Sequence, residues 1–242
     1  MAVYKTPGVY VEEIATLPPS VAEVETAIPV FIGFTEKGPK NVPKRISSLV
    51  EYQLYFGKAV PETNFAVSIE ADNTVNVSVD KKARSKFVMF YAMQLYFANG
   101  GGPCYIVSVG NFDASSFGND VYQAALDVIE KEDEPTLLVF PDAPYLIPKN
   151  YNDLIVDALS QCRDLGDRFV IIDVLSVGDE PSLLDDTAAF RNINTSAEQA
   201  KYGAAYYPTL STSIPYVVDE NKINVNVPAE SKPVSAPLVS AV

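Results

Sequence analysis

The sequence predicts an open α/β/α sandwich with a mostly parallel sheet. Three observations carry the prediction. The strands of the second half are continuous apolar runs, not polar–apolar alternations, so both faces of their sheet are covered. Strand and helix patterns alternate there, as they do when parallel strands are joined by crossover helices. At 242 residues, with 48% apolar and 20% charged content, the chain can also bury a sizeable core.

Taken in order, Ile28 to Phe34 is a short run rich in β-branched and aromatic residues and reads as a buried strand. Lys37 to Lys44, with Gly38-Pro39 and Pro43, reads as a loop. Ser48-Leu49-Val50-Glu51 fits a capping box, and Gly57 is placed to end the two-turn helix that follows. Phe65, Val67 and Ile69 alternate with polar residues, as do Val75, Val77 and Val79, which predicts a surface hairpin over 65–79. Lys81, Lys82, Arg84 and Lys86 read as the solvated start of a helix from Ala83 to Ala98. That helix is apolar nearly all round, so it is covered on most sides or covered on assembly. Asn99 to Pro103 stops it. No Gly-Lys-Ser/Thr follows the glycines, so they read as a helix end and not a phosphate loop.

Strands are then predicted at Cys104–Val109, Thr136–Phe140, Arg168–Leu175 and Tyr202–Leu210. Helices are predicted near Asp120–Lys131, near Tyr151–Leu165, and from Asp179-Glu180-Pro181 to about Phe190. Ile214–Val218 and Ile223–Val227 read as weak strands. Residues 228–242 are Pro, Ala, Ser and Val without a period and read as a flexible tail.

The N-terminus differs in kind. Pro7-Gly8 is a turn signal, and residues Val9 to Ile14 read as a strand with Val9 and Val11 on one face and Tyr10 and Glu12 on the other. Leu17-Pro18-Pro19 follows, and Pro18 and Pro19 make a stiff extended linker. A strand tethered this way must find a sheet edge to pair its N–H and C=O groups. The edge can be that of its own domain or that of a neighbouring subunit, as in β-strand addition. The expected organisation is therefore an arm and linker at 1–26, an α/β body at 27–227 that includes the hairpin, and the tail.

The run from Thr6 to Ile14, followed by Ala27 to Pro39, resembles the opening of tail sheath proteins, which build contractile phage tails and phage-tail-like bacterial injection systems. Gly101-Gly102-Pro103-Cys104-Tyr105-Ile106-Val107 is similar to that family's double-glycine approach to a strand. Tyr202-Gly203-Ala204-Ala205-Tyr206-Tyr207-Pro208 is similar to its Tyr/Ala/Pro segment. The resemblance runs over about residues 4–225, and the order of the motifs carries it. Nothing after Val227 resembles the family's C-terminal domain.

The resemblance implies a structural subunit, not an enzyme. It implies polymerisation with other copies or close paralogues around an inner tube, contact with baseplate and tail cap proteins, and contraction that drives the tube through a target envelope. It implies cytoplasmic assembly and no cofactor, with Val9, Tyr10, Val11, Glu12, Glu13 and Ile14 given to a neighbour.

Composition narrows the alternatives. A formal net charge of −13 argues against nucleic acid and against an anionic membrane surface. No N-terminal apolar run and no run of 18 apolar residues is present, so neither the usual secretion route nor membrane insertion is expected. Cys104 and Cys162 fall in apolar patterns and read as reduced core residues. With no histidine, imidazole chemistry is excluded. The enzyme alternative is a metal-dependent hydrolase using Asp142 and Asp173, both at carboxyl ends of predicted parallel strands, where open sheets bind ligands. A monomeric α/β binding module is the third reading.

Overall fold

Val30, Ile32 and Phe34 bury themselves on one side of a strand and Phe31 on the other. The computed structural model, which describes residues 27–63, 65–70, 74–79, 84–112, 117–178, 182–226 and 236–237, makes this strand, β1 (Pro29–Phe34), an inner strand of a six-stranded sheet. Beside it lie β5 (Cys104–Gly110) and β6 (Leu137–Val139), both parallel to it. Outward from β6 come β7 (Phe169–Asp173) and β8 (Gly203–Tyr206), also parallel. The antiparallel strand β2 (Lys44–Ile46) closes the β5 side.

Helices cover both faces. On one, α3 (Asn119–Ile129) and α4 (Pro148–Leu165) send Tyr122, Leu126, Leu154 and Cys162 against Val30, Val107, Leu138 and Val170. On the other, α1 (Leu49–Phe56) and α2 (Met89–Ala98) send Tyr52, Phe56, Phe90 and Met93 against Phe31, Cys104 and Ile106. The sandwich is thus the predicted one, built on strands whose two faces are both apolar. Two further helices, α5 (Leu183–Arg191) and α6 (Ala197–Ala200), lie between β7 and β8 in the chain. Among the described residues no helix is long and apolar enough to cross a membrane.

The hairpin forms as predicted, β3 (Phe65–Ile69) against β4 (Val75–Val79), with Val67 opposite Val77. It does not stand alone. β9 (Asn224–Asn226) pairs with β3 in parallel, and Ile223 and Val225 bury Val67. Ala236–Pro237 (β10), inside the segment read as a tail, pairs with β9.

Several local readings are corrected. Ser48 accepts from the Glu51 N–H as expected, but the Glu51 carboxylate turns to the Ser47 N–H at 2.6 Å, so the box is not closed on Ser48. Residues 84–88 are not helical; α2 begins at Met89, with its first N–H groups held by a distant side chain described below. Lys44 belongs to β2 and not to the loop. The predicted strand at 202–210 stops at Tyr206, before Pro208, which has no N–H to extend the ladder. Of Ile214–Val218 only Val218 pairs, in an isolated bridge to Glu62.

Arg168 shows how the interior handles charge. Its side chain is 1% exposed beside Asp167. Nη1 donates to the Ile129 carbonyl and Nη2 to the Glu132 carbonyl, each at 2.9 Å. The guanidinium thereby adds a donor to the Ile129 carbonyl, which also accepts from the Glu132 N–H, and serves the Glu132 carbonyl just past the end of α3, where a cation is favoured.

Cys104 and Cys162 are buried and free, on opposite faces of the sheet. Burial pushes each thiol up to about 12. A thiol reagent should therefore react slowly with the native chain and take up two equivalents after denaturation without reductant. A covalent Cys104–Cys162 link in a mass spectrum would contradict the fold as well as the redox assignment, because the sheet stands between them.

Candidate functional site

The arm residues Val9, Tyr10, Val11, Glu12, Glu13 and Ile14, and the turn and linker residues Pro7, Gly8, Pro18 and Pro19, lie outside the described residues. The site is therefore sought on the body.

The chain order around β1 creates a crevice. β5 lies on one side of β1, and the next strand, β6, on the other. Open α/β sheets bind ligands at the carboxyl ends of strands where the order reverses in this way, commonly with an anion at a helix N-terminus. Here an internal carboxyl group fills the place. Asp142, just after β6, is 0% exposed. Its Oδ1 accepts from the Val88 and Met89 N–H groups at the start of α2, at 2.6 and 3.0 Å. Its Oδ2 accepts from the Phe34 N–H at the end of β1, at 2.7 Å. Gly33 makes room: a Cβ there would lie 2.6 Å from Oδ2.

Burial pushes the Asp142 carboxyl up to about 7, against the pull of the three N–H donors. Both oxygens are committed, so the metal-ligand role considered for Asp142 is replaced by a structural one: it ties three segments together. Asp173, the other half of that pair, has an exposed side chain, while its backbone N–H and carbonyl both bond the Tyr151 hydroxyl. Among the described residues no three His, Cys, Asp or Glu side chains gather as a metal site would require. Asp186, also 0% exposed, accepts from Val177 N–H, Ser182 N–H and the Ser176 hydroxyl. The first of these N–H groups does most to hold its carboxyl below the usual range. It fixes the turn after β7 to α5.

Among the described residues two surfaces near the hairpin stand out. One is β4, an edge strand without charge or proline, on which Val75 and Val77 are each 59% exposed. The other is a cleft of about 360 Å³ at the root of the hairpin, lined by Glu62, Arg84, Lys86, Phe87, Phe112 and Phe117 among others. Its aromatic floor continues into the core, with Phe87 and Phe117 each packed on Phe34. Sequence reading missed this cleft, because its walls come from three separated segments. The only signal was the basic run at 81–86, read there as a helix start.

No family model matches the chain, and no curated protein matches it either. Among solved structures, a chain of the anti-feeding prophage (AFP) baseplate in the contracted state has the same fold over 99% of this chain, with a TM-score of 0.54 and 20% identity. A chain of the 6-fold symmetrised AFP baseplate is 28% identical over 98% of this chain, with a TM-score of 0.47. This chain spans about half the length of each, 54% and 51%.

Proposed function

We propose that the chain is a structural subunit of a contractile, phage-tail-like particle, and within it a sheath subunit that polymerises around an inner tube and contracts to drive the tube through a target envelope. The observation that carries this is the fold shared over 99% of this chain with a chain of a contracted baseplate. The sheath assignment is the finer step, and it draws on the motifs from Thr6 to Pro39, 101–107 and 202–208. The closure of the sheet crevice by Asp142 agrees with a non-enzymatic role, because the usual ligand position is taken by the protein itself.

In this reading residues Val9–Ile14 pair with a neighbouring copy or a close paralogue, and Pro18-Pro19 holds them off their own body. The other partners are the inner tube, baseplate and tail cap proteins, met during cytoplasmic assembly. Gold-labelled antibody to this chain, imaged on extended and contracted particles, tests the proposal. Label along the whole tail that closes up on contraction is expected. Label confined to one end would make the chain a baseplate component instead, and particles without label would end the assembly reading.

A further inference from the structure

We infer that Asn99 is a site of spontaneous covalent modification, its side-chain amide being converted to a carboxylate at a rate set by how often the end of α2 opens.

Asn99-Gly100 is the one Asn-Gly pair in the chain. At every other asparagine the following residue carries a Cβ beside its nitrogen. Gly100 does not, and the space where its Cβ would stand is open. Both residues are exposed, so water reaches them. Water is the only co-reactant the chemistry needs. The Gly100 nitrogen gives its proton to solvent base and attacks Cγ of Asn99. A bond from that nitrogen to Cγ forms, the Cγ–Nδ2 bond breaks, and ammonia leaves. Water then opens the five-membered imide at one of its two carbonyls. Opening at Cγ gives ordinary aspartate. Opening at the backbone carbonyl gives an isomer whose main chain runs through the former side chain. In both, one water oxygen has replaced the amide nitrogen, and nothing is oxidised or reduced.

The fold places this pair in a closed helix end. Gly100, at φ 80°, donates its N–H to the Phe97 carbonyl at 3.2 Å, and Gly101 donates to the Tyr96 carbonyl at 2.9 Å, the paired bonds of a Schellman end. Asn99 Nδ2 donates to the Leu95 carbonyl at 2.7 Å. The attacking and the leaving nitrogen are therefore both held. The Asn99 ψ of 19° also sets the Gly100 nitrogen beside Asn99's own nitrogen and away from its side chain. Ring closure must turn that bond, which breaks the contacts to Phe97 and Tyr96. Helix ends open at low free energy, so conversion runs through the opened end and not through global unfolding.

The products do not fit the closed end. A carboxylate at position 99 faces the Leu95 carbonyl where a donor stood, and it adds negative charge at a helix C-terminus. The isomer also gains a backbone carbon just ahead of Gly101, which lies so close to Tyr96 that a Cβ there would be 2.5 Å from its ring. Tyr96 packs edge-on against Phe31 of β1, so the disturbance reaches the sheet.

The test is peptide mapping by mass spectrometry of the full chain aged at mildly alkaline pH in heavy-oxygen water, natively and in guanidinium, beside a synthetic peptide of residues 95–103. Conversion at Asn99 with one heavy oxygen taken up is expected in all three samples. It should be slower in the native chain than in the peptide by roughly tenfold or more, because two held nitrogens must first be freed. Guanidinium should bring the chain to the peptide's rate. Asn99→Gln keeps an amide but enlarges the ring to be closed, and should stay unconverted. Asn99→Asp, which matches one product, should melt about 2–4 °C below wild type. Equal melting would overturn the misfit of the product, and a native rate equal to the peptide's would overturn control by the α2 end. Earlier conversion at another asparagine, or no heavy oxygen at position 99 in guanidinium, would overturn the site itself.

Discussion

Asp142→Ala is expected to lose at least about 3 kcal/mol of stability, since each buried donor left without an acceptor costs about 1–3 kcal/mol. Three backbone N–H groups, those of Phe34, Val88 and Met89, lose their acceptor at once. For a chain of this size the melting temperature should fall by about 6–12 °C. Asp142→Asn should fall between the two, because one oxygen remains to accept. The pH dependence has a definite sign. The folded carboxyl, pushed up to about 7 by burial, titrates above its unfolded value. Its contribution is fully present below the unfolded value and is lost as pH rises through about 7. The stability gap between wild type and Asp142→Asn should therefore narrow from about pH 5 to about pH 8. A gap that widens would mean that the three donors outweigh burial and the group stays ionised throughout.

Removing residues 1–14 is expected to have the largest effect on assembly and almost none on the isolated chain. The described strands of the six-stranded sheet lie within residues 29–206, and its two large core clusters draw on residues 30–172. Circular dichroism and melting of the truncated chain should match wild type. In the context of a full sheath, on the proposed reading, tubes should be absent or broken between rings in electron micrographs. Val9→Pro should imitate the truncation if the Val9 N–H donates to an acceptor strand, because proline removes that donor. Excess arm peptide should compete, although its affinity will fall short of its buried area because the arm must be ordered to bind. Unfolding of the truncated monomer would assign the strand to its own sheet.

The sandwich was legible in the sequence because its inner strands are apolar on both faces. Phe31 against Val30 and Ile32, or Ile106 against Val107, needs no knowledge of partners to read as doubly buried. The start of α2 was not legible. The apolar run gives no boundary, and the one that exists is set by Asp142, more than fifty residues later. The same carboxylate could be placed at a strand end from sequence, but its task depends on three N–H groups that only the fold brings together. β2 and α6 are three and four residues long, too short for periodicity to show. The cleft was invisible for the reason Asp142 was: Glu62, Arg84 and Phe117 meet only in three dimensions.

The small sheet bears on how the chain matures. Its hairpin is made before most of the large sheet, but the residues that cover Val67, namely Ile223 and Val225, follow the last strand of that sheet. A two-stranded ribbon is marginal in water on its own, so the hairpin gains its third strand only after the whole sandwich has been translated. Until then the ribbon displays valines and unpaired backbone to other nascent chains. A product cut short before residue 223 would therefore keep every strand of the large sheet but leave Val67 uncovered on a two-stranded ribbon, the kind of open edge that invites pairing with another chain.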